Sequence, residues 1–529
     1  MHAVRAPQSW KGMSPMTDPR HAVLSVEAMG AADSFAMAHG RSGGALMDAA
    51  GGAIADAITK RWSPRPIAVL CGPGNNGGDG WEAAAQLQAR GWPVEIFAMK
   101  PPVKLEGDAA RAASKWTGEV QGLEACDPSR FALILDALFG AGLSRPLEGE
   151  PGRLAKACAD LTVIAADVPS GVHGDRARAD GPAFKAALTV TFHRYKPVHV
   201  LHPGRAACGE IVLADIGVPD GWMDAASPVA ERNHPDLWTV PGIAIDAGAH
   251  KHQRGRLCVL SGGHGASGAA RLSAEAGLTA GAGYVTLLCP PDALTECAAS
   301  MRAVVTRAYD LTADFADVLG GHRAQAAVMG PGAGTSRETR RRVLEACGQG
   351  ASLVLDADAL TVFEDDSAAL YEALHERCVL TPHAGEFARV FPDLADTRES
   401  TGQSSCENKI EIARKAASRA GAVLVLKGPD TVIAAPDGRV RVNTHASPRL
   451  STAGTGDVLA GLIAAFLAQG AAQFDAASAA VWVHGEMGRR MGPGDTAASA
   501  MTLLPQALRH VRDLQSRKAA LRRLTQPGR

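Results

Sequence analysis

Hydrophobic and polar positions divide the chain into two stretches of alternating strand-like and helix-like pattern. Residues 23–60 carry apolar positions at helical spacing, with Leu46, Met47, Ile54 and Ile58 on one face. The apolar run Pro66–Cys71 predicts a buried strand that ends in the loop G-P-G-N-N-G-G-D-G, Gly72–Gly80. A helical W-E-A-A-A-Q-L-Q-A-R-G and a second strand-like run, Val94–Met99, follow. Strand, Gly-rich loop, helix and strand make a βαβ unit, so a parallel sheet is predicted. Two further buried runs end in polar residues. F-A-L-I-L-D puts Asp136 at a strand tip ahead of the loop Gly140–Pro146, and T-V-I-A-A-D-V-P-S-G puts Asp167 and Ser170 at the next.

From Asp220 the periodicity loosens and prolines recur, which places a domain boundary there. The predicted division is a poorly ordered 1–20, a first domain over 21–225, a linker over 226–249, a second domain over 250–515 and a tail over 516–529. The second domain repeats the strand-to-turn pattern. R-L-C-V-L-S-G-G-H-G, A-A-V-M-G-P-G-A-G, L-V-L-D-A-D, C-V-L-T-P-H-A-G-E-F and V-L-V-L-K-G-P-D-T each read as a buried strand with small or polar residues at its carboxyl end. The last run, L-S-T-A-G-T-G-D-V-L-A-G from Leu450, is a Gly-rich turn opening an apolar helix. Both halves are therefore predicted to be α/β with largely parallel sheets.

Length supports two cores rather than one, since 529 residues exceed an ordinary single domain. With 54 basic and 55 acidic residues the formal net charge is −1, and no like-charge run points to nucleic acid or an anionic membrane. The 10 cysteines stand singly, which predicts reduced thiols in a cytoplasmic protein. The first 20 residues lack the apolar core of a secretory signal, and the apolar run Val458–Ala468 is too short to span a bilayer.

Candidate chemistry gathers at the strand ends. A Gly-rich turn opening a helix presents unpaired amides and the positive end of the helix dipole, a site for a phosphate or developing oxyanion. Asp457 stands beside it, placed to take a proton from a hydroxyl; alone, G-T-G-D reads equally well as a turn and a helix-start acid. Lys427 can meet a phosphate and Thr431 a hydroxyl. His383 alone reads as a structural histidine, Glu386 as a helix cap, and Lys196 as a surface lysine in preference to a charge near the site. Gly72, Gly74 and Gly77 fit G-x-G-x-x-G, but the following strand ends in Lys100-Pro101-Pro102 rather than a ribose-binding acid. Asn75, Asn76 and Asp79 instead offer oxygen donors for a monovalent cation and hydrogen bonds for a ribose or carboxamide. Gly263, Gly265 and Gly268 form a second such match, with Asp292 beyond the next strand, so a dinucleotide dehydrogenase stays open for the second half. His250 and His252 lack a third metal ligand.

The ordered motifs G-P-G-N-N-G-G-D-G, L-D-A-L-F-G-A-G-L, D-V-P-S-G and T-V-T-F-H-R-Y-K-P closely resemble the NAD(P)H-hydrate epimerase domain of the YjeF N-terminal type, over Leu24–Pro219. The resemblance implies a Rossmann-like αβα sandwich in which Asn75, Asn76, Gly77, Gly78 and Asp79 bind the hydrated nucleotide. It implies that Gly140, Ala141, Gly142, Leu143, Ser144, Arg145, Pro146 and Asp167 also touch it, and that Asn76, Asp136 and Ser170 hold K+. Asp167 is either the acid–base group or an orienting residue.

T-P-H-A-G-E, L-K-G-P-D-T and A-G-T-G-D-V-L-A-G likewise resemble the NAD(P)H-hydrate dehydratase domain of the ribokinase-like superfamily, over His250–Val511. That implies a second αβα sandwich. Ala282, Gly332, His383 and Asp457 would face the hydrated nicotinamide, and Lys427, Gly428, Pro429, Asp430, Thr431 and Gly456 an adenine nucleotide. Asp457 would be the catalytic base, ADP the co-substrate and Mg2+ an assistant. Ala384 and Ala453 stand where Pro and Gly are common in that family. The implied protein is a cytoplasmic homo-oligomer repairing NADHX and NADPHX. A small-molecule kinase shares the G-T-G-D device but has no need of the first half, and a nucleotide sensor with degenerate sites would not need the acids and Lys427.

Overall fold

The computed structural model describes residues 19–240, 254–395 and 408–525. They form two compact units, Arg20–Glu231 and the chain from Arg232 onward. In the first, β1 (Ala22–Val23) pairs antiparallel with β9 (Ala230–Arg232). The main sheet has β2 (Ile67–Cys71), β3 (Val94–Ala98), β4 (Val120–Gly122), β5 (Leu133–Ala137), β6 (Val163–Ala166), β7 (Leu188–Phe192) and β8 (Glu210–Ala214). Their order is β4-β3-β2-β5-β6-β7-β8, and every pairing is parallel. The apolar run of β2 is continuous because both faces are covered. Ile67, Val69 and Cys71 join one buried cluster with the helices Gly43–Thr59 and Asn75–Ala89, while Ala68 and Leu70 join another with Leu154, Phe131 and Phe184. The predicted helical stretch 23–60 is two helices, Val26–Ala38 and Gly43–Thr59, capped by Ser25 and Ser42.

The second unit contains β10 (Arg256–Leu260), β11 (Tyr284–Cys289), β12 (Val305–Ala308), β13 (Ala326–Met329), β14 (Ser352–Leu355), β15 (Cys378–Leu380), β16 (Val423–Leu426), β17 (Val432–Ala434) and β18 (Val440–Val442). Along the sheet they run β18-β17-β16-β15-β14-β13-β10-β11-β12; the β16–β17 and β17–β18 pairs are antiparallel and the rest parallel. Helix Thr455–Ala468 is apolar on all sides because it is a core helix, buried without interruption from Val458 to Ala468. It packs on the sheet residues Leu257, Val259, Val328 and Val354 and beside helix Gln473–Arg490.

The boundary region is more structured than its prolines suggest. Of the predicted linker 226–249, Leu237, Trp238 and Val240 are buried in the core of the second unit. Trp238 Nε1 donates to Asn233 Oδ1 at 3.0 Å and Arg441 Nη2 to the Leu237 carbonyl at 2.9 Å. Residues 241–249 lie outside the described residues, as do 1–18 of the N-terminal stretch and the His250–His252 pair. Of the predicted tail 516–529, residues 516–525 form the end of helix Leu504–Thr525, where Lys518 pairs with Asp236 at 3.1 Å, and 526–529 lie outside the described residues. Three apolar anchors are too few to produce a readable period; their burial is a tertiary fact.

Candidate active sites

In the first unit the carboxyl ends of β2, β5, β6 and β7 open into a cavity of about 700 Å3. Its wall includes Asn75, Asn76 and Asp79 from the first turn of helix Asn75–Ala89, Gly140 to Arg145 from the loop after β5, and Asp167 after β6. Gly77, Gly78 and Pro146 are not part of that wall. A Cβ on Gly77 would fall 1.9 Å from the Gly72 carbonyl oxygen, and one on Gly78 2.5 Å from Met47 Cε, so both glycines let the helix start sit against the loop and its neighbouring helix.

Asp167 is the centre of a buried polar network. Its φ of 62° lies in the left-handed region, a conformation held by its surroundings. Oδ1 accepts from Lys196 Nζ at 2.7 Å and from Thr191 Oγ1 at 2.9 Å, while Oδ2 accepts from the Ala141 amide at 3.3 Å. His199 Nδ1 accepts from the Lys196 amide, so its Nε2 carries the proton that bonds the Asp167 carbonyl at 2.9 Å. Burial, then Lys196, pushes this imidazole down to about 4 and keeps it neutral. Burial works against the Asp167 charge, but Lys196, His199 and Thr191 outweigh it and hold the carboxyl below its ordinary range.

Lys196 is thus no surface residue: it is 2% exposed and is the counter-ion of Asp167. Its sequence setting, Y-K-P, carries no apolar period that would have placed it inside. Asp33 was also invisible to motif reading. It reaches the same cavity from helix Val26–Ala38, and burial raises its carboxyl to about 6. Asp79 is pushed well above the ordinary carboxylate value by burial, with Asp167 and Asp33 adding to it.

Asp136 and Ser170 lie together at the ends of β5 and β6, both fully buried. Ser170 donates through its amide and its Oγ to the two carboxylate oxygens, each at 2.7 Å, and Oγ also reaches the Phe139 carbonyl. Burial raises Asp136 to about 6 against those bonds. The Asn76 side chain faces the adjacent Gly140, and its Nδ2 is buried without a partner among the described residues. Carboxylate, hydroxyl, amide oxygen and carbonyl form an all-oxygen donor set beside an uncompensated buried acid. That set fits a weakly held monovalent cation.

In the second unit the site forms at the carboxyl ends of β13 to β16 and the start of helix Thr455–Ala468. Gly454, at φ 90°, turns the chain into that helix, and Thr455 Oγ1 ties it back to the Leu450 and Thr452 carbonyls at 2.7 and 2.9 Å. The Gly456 and Asp457 amides, in the first turn, have no intrahelical acceptor. A Cβ on Gly456 would stand 3.6 Å from Lys427 Nζ and 4.0 Å from Asp356 Oδ2, which locates both groups over the helix start. Lys427 pairs with Asp356 at 2.7 Å and lies 3.7 Å from Glu386. Burial opposes its charge, yet Asp356 and Glu386 raise it. Asp457 is half-buried and pushed up to about 6, first by burial and then by Asp356, with Lys427 opposing.

His383 caps helix Ala384–Val390. Its Nδ1 accepts from the Gly385 and Glu386 amides, Glu386 returns a bond to its backbone, and the ring remains 56% exposed beside the site. Gly428 and Pro429 are exposed, Asp430 is held by Lys409 at 2.6 Å, and Thr431 is tied to Gly428. Gly332 sits against the Ala266 carbonyl in the loop after β13.

Ala282 does not belong to this site. It is 2% exposed in the core, two residues ahead of β11, at the amino edge of the sheet. Gln469, at the far end of helix Thr455–Ala468, bonds the Ala280 carbonyl at 3.2 Å. Gln469 lies twelve residues beyond Asp457 along that helix, roughly 18 Å away. Ala266 and Ala269, beside Gly332, occupy the correct edge. Asp356, the partner of Lys427, was the other omission; the strand-end pattern L-V-L-D marked it.

The sequence of residues 43–198 matches the family described as YjeF-related protein N-terminus, and 257–510 the family described as NAD(P)H-hydrate dehydratase. The bifunctional NAD(P)H-hydrate repair enzyme Nnr of Thermofilum pendens is 34% identical over 501 residues, 88% of this chain and 92% of that one. Its counterpart from Moorella thermoacetica is 33% identical over 88% of this chain and 93% of its own. An ADP/ATP-dependent NAD(P)H-hydrate dehydratase from Bacillus subtilis, co-crystallised with ATP/Mg2+, aligns with 53% of this chain and 96% of that one at 23% identity and a TM-score of 0.44. Both halves match, in order and nearly end to end: the chain belongs to the bifunctional NAD(P)H-hydrate repair enzymes.

Proposed function

We propose that the first unit interconverts the R and S forms of NADHX and NADPHX, and that the second dehydrates the S form to NAD(P)H with ADP as phosphoryl donor, releasing AMP and phosphate. One observation carries the reading. Each unit sets a largely buried lysine–aspartate pair, Lys196–Asp167 or Lys427–Asp356, beside a helix N-terminus at the carboxyl edge of its sheet. Such an edge binds nucleotides, and the paired charges fix where a further charge can develop.

In the first unit the Asp167 carboxylate is the anion that stabilises the iminium formed when the C6 hydroxyl leaves. The Asn75–Asp79 turn and the Gly140–Pro146 loop hold the nucleotide. Asn76, Asp136 and Ser170 are the residues that would hold K+. Such an ion would supply the positive charge the buried Asp136 lacks.

In the second unit Asp457 removes the C6 hydroxyl proton as that oxygen attacks the β-phosphorus of ADP, and the bond to the AMP oxygen breaks. The Gly456 and Asp457 amides and Lys427 hold the transferring group. Phosphate then leaves C6, and loss of a C5 proton restores the nicotinamide. The turn Lys427–Thr431 binds the nucleotide, with Gly332 and His383 against the hydrate. Asp356, Asp358 and Glu386 all act on Asp457 electrostatically, an acidic surround suited to Mg2+, which would neutralise phosphate charge.

No helix among the described residues is long and apolar enough to cross a membrane, and the cysteines among them are free and buried. Both fit the reduced, cytoplasmic setting we assign; homo-oligomer formation is checked by sedimentation. The deciding assay follows NADH absorbance after mixed R and S hydrate meets protein and ADP. Wild type returns both forms. Asp167→Ala returns only the S fraction, and Asp457→Asn binds ADP but returns nothing. Normal turnover by Asp457→Asn refutes the base assignment.

A further inference from the structure

The face of helix Val26–Ala38 that lines the first cavity is formed by Val26, Met29, Gly30, Asp33 and Met37. At steps of three and four these form one stripe, so Asp33 is a lone carboxyl in an otherwise apolar strip. Its Oδ1 is buried and has no hydrogen-bond partner among the described residues. An unsatisfied buried acceptor costs free energy, about 1–3 kcal/mol in ordinary cases, unless a ligand completes it.

Epimerisation at C6 needs a proton on the departing hydroxyl, and the charged pair at the strand ends, Lys196 and Asp167, is committed elsewhere. Lys196 spends its three N–H bonds on Asp167, Thr191 and the Phe192 carbonyl. Asp167 receives two of the resulting donors and stays ionised. Asp79 lies on the helix-start turn proposed to hold the nucleotide, and burial, then Asp167 and Asp33, pushes its carboxyl up. We propose that Asp33 is a second catalytic residue of the epimerisation, the acid that protonates the C6 hydroxyl while Asp167 remains an anion beside the ring.

The step balances within the site. The Asp33 proton moves to the hydroxyl oxygen, the C6–O bond breaks with its electron pair on oxygen, and water leaves. The N1 lone pair becomes the C6=N1 π bond. Addition of water to the opposite face reverses these changes, and the released proton returns to the Asp33 carboxylate. Burial places that carboxyl at about 6, with Lys196 opposing and Asp167 assisting, so it can be reprotonated on each turnover. Two acids in one cavity are driven apart in proton affinity, the arrangement that assigns acid and anion roles.

This inference rests on the first unit being the epimerase. The test follows R-to-S conversion chromatographically on the full chain, with ADP-dependent dehydration of the S form measured in parallel. In wild type, kcat should fall as pH rises past a group near 6. The charged neighbours bearing on that group are Lys196, Asp167 and Asp79, with Asp108 and Arg145 elsewhere in the wall. Asp33→Asn should lower kcat by roughly 100-fold or more, the usual worth of a general acid. It should leave KM within about threefold and S-form dehydration unchanged, and should abolish the pH limb; Asp33→Glu should restore part of the rate together with the limb. The proposal is overturned if Asp33→Asn keeps kcat within about threefold of wild type, loses activity through KM alone, or retains the limb. Should Asp33→Asn fail to fold, the wild-type profile decides, and a rate flat from about pH 5 to 8 overturns it. A wild-type chain that epimerises at no pH instead sinks the epimerase reading itself.

Discussion

Replacing Lys196 with methionine tests whether the Asp167 network is an electrostatic device or merely a packed corner. The Nζ–Oδ1 distance is 2.7 Å, and the two side chains are 3% and 15% exposed, so water screens the pair little. Methionine conserves most of the volume, leaving loss of charge as the main change. Removing one partner of a buried pair typically costs about 3–5 kcal/mol, because the other charge stays desolvated. With a urea m-value of roughly 2.5 kcal/mol per M, the unfolding midpoint of the first unit should drop by about 1–2 M. Hydrogen exchange of peptides from β2 and β5 isolates that unit from the second, whose own transition complicates a whole-chain signal. The pH dependence sharpens the test. In wild type the folded carboxyl is held below its unfolded value, so its stabilisation is complete above the unfolded value and is lost as pH falls through the folded one. In Lys196→Met burial is no longer opposed by its main cation, the folded value rises above the unfolded one, and the deficit shrinks as pH falls toward the carboxylate range. Adding Asp167→Asn to Lys196→Met should recover most of the stability but no epimerase activity. A single-variant cost below about 1 kcal/mol, or a deficit that grows as pH falls, refutes the reasoning.

Asp136→Asn removes the acid of the proposed K+ site. The epimerase of this variant should lose its dependence on K+, and replacing K+ by a bulky organic cation should lower wild-type epimerisation without affecting dehydration. Gly461→Ala probes the helix that carries Asp457: its Cβ would fall 2.2 Å from the Ser273 carbonyl oxygen, so overpacking of at least about 1–3 kcal/mol should appear as a lower melting temperature of the second unit. A melting temperature within about one degree of wild type would show that the two helices can separate freely.

Strand ends were the legible part of this protein. Continuous apolar runs marked β2, β5, β13, β14 and β16, and each delivered small or polar residues where a parallel sheet collects ligands. The G-T-G-D turn predicted a helix start with an acid beside free amides, and that is what the second unit contains. Legibility failed where position depends on packing between distant segments. Lys196 lies in a loop whose burial is set by β7 and His199, and Asp33 occupies one slot of a helix that reads as amphipathic with or without it. Ala282, which only the family resemblance implies for the site, lies in the connection ahead of β11, at the other end of the sheet. Composition alone does not distinguish the turn before a strand from the turn after it.

The two units solve the same electrostatic problem, and the solution predicts opposite pH behaviour in one chain. In each, a lysine is engaged by one carboxylate, Asp167 or Asp356, and a second carboxyl nearby is driven up to about 6 by burial first. Asp33 must act protonated and Asp457 ionised. Epimerisation should therefore fall about tenfold per pH unit above the Asp33 value, and dehydration about tenfold per unit below the Asp457 value. With mixed hydrate and ADP, recovery of NADH should be limited by dehydration near pH 5 and by epimerisation near pH 8. The charge responsible can be identified separately, since Asp356 is the largest charge raising Asp457 and Lys427 the one opposing it. Asp356→Asn should thus move the dehydration limb to lower pH. Limbs running in the same direction for both activities, or a dehydration limb unmoved by Asp356→Asn, would mean that the carboxyls at positions 33 and 457 are not the titrating groups.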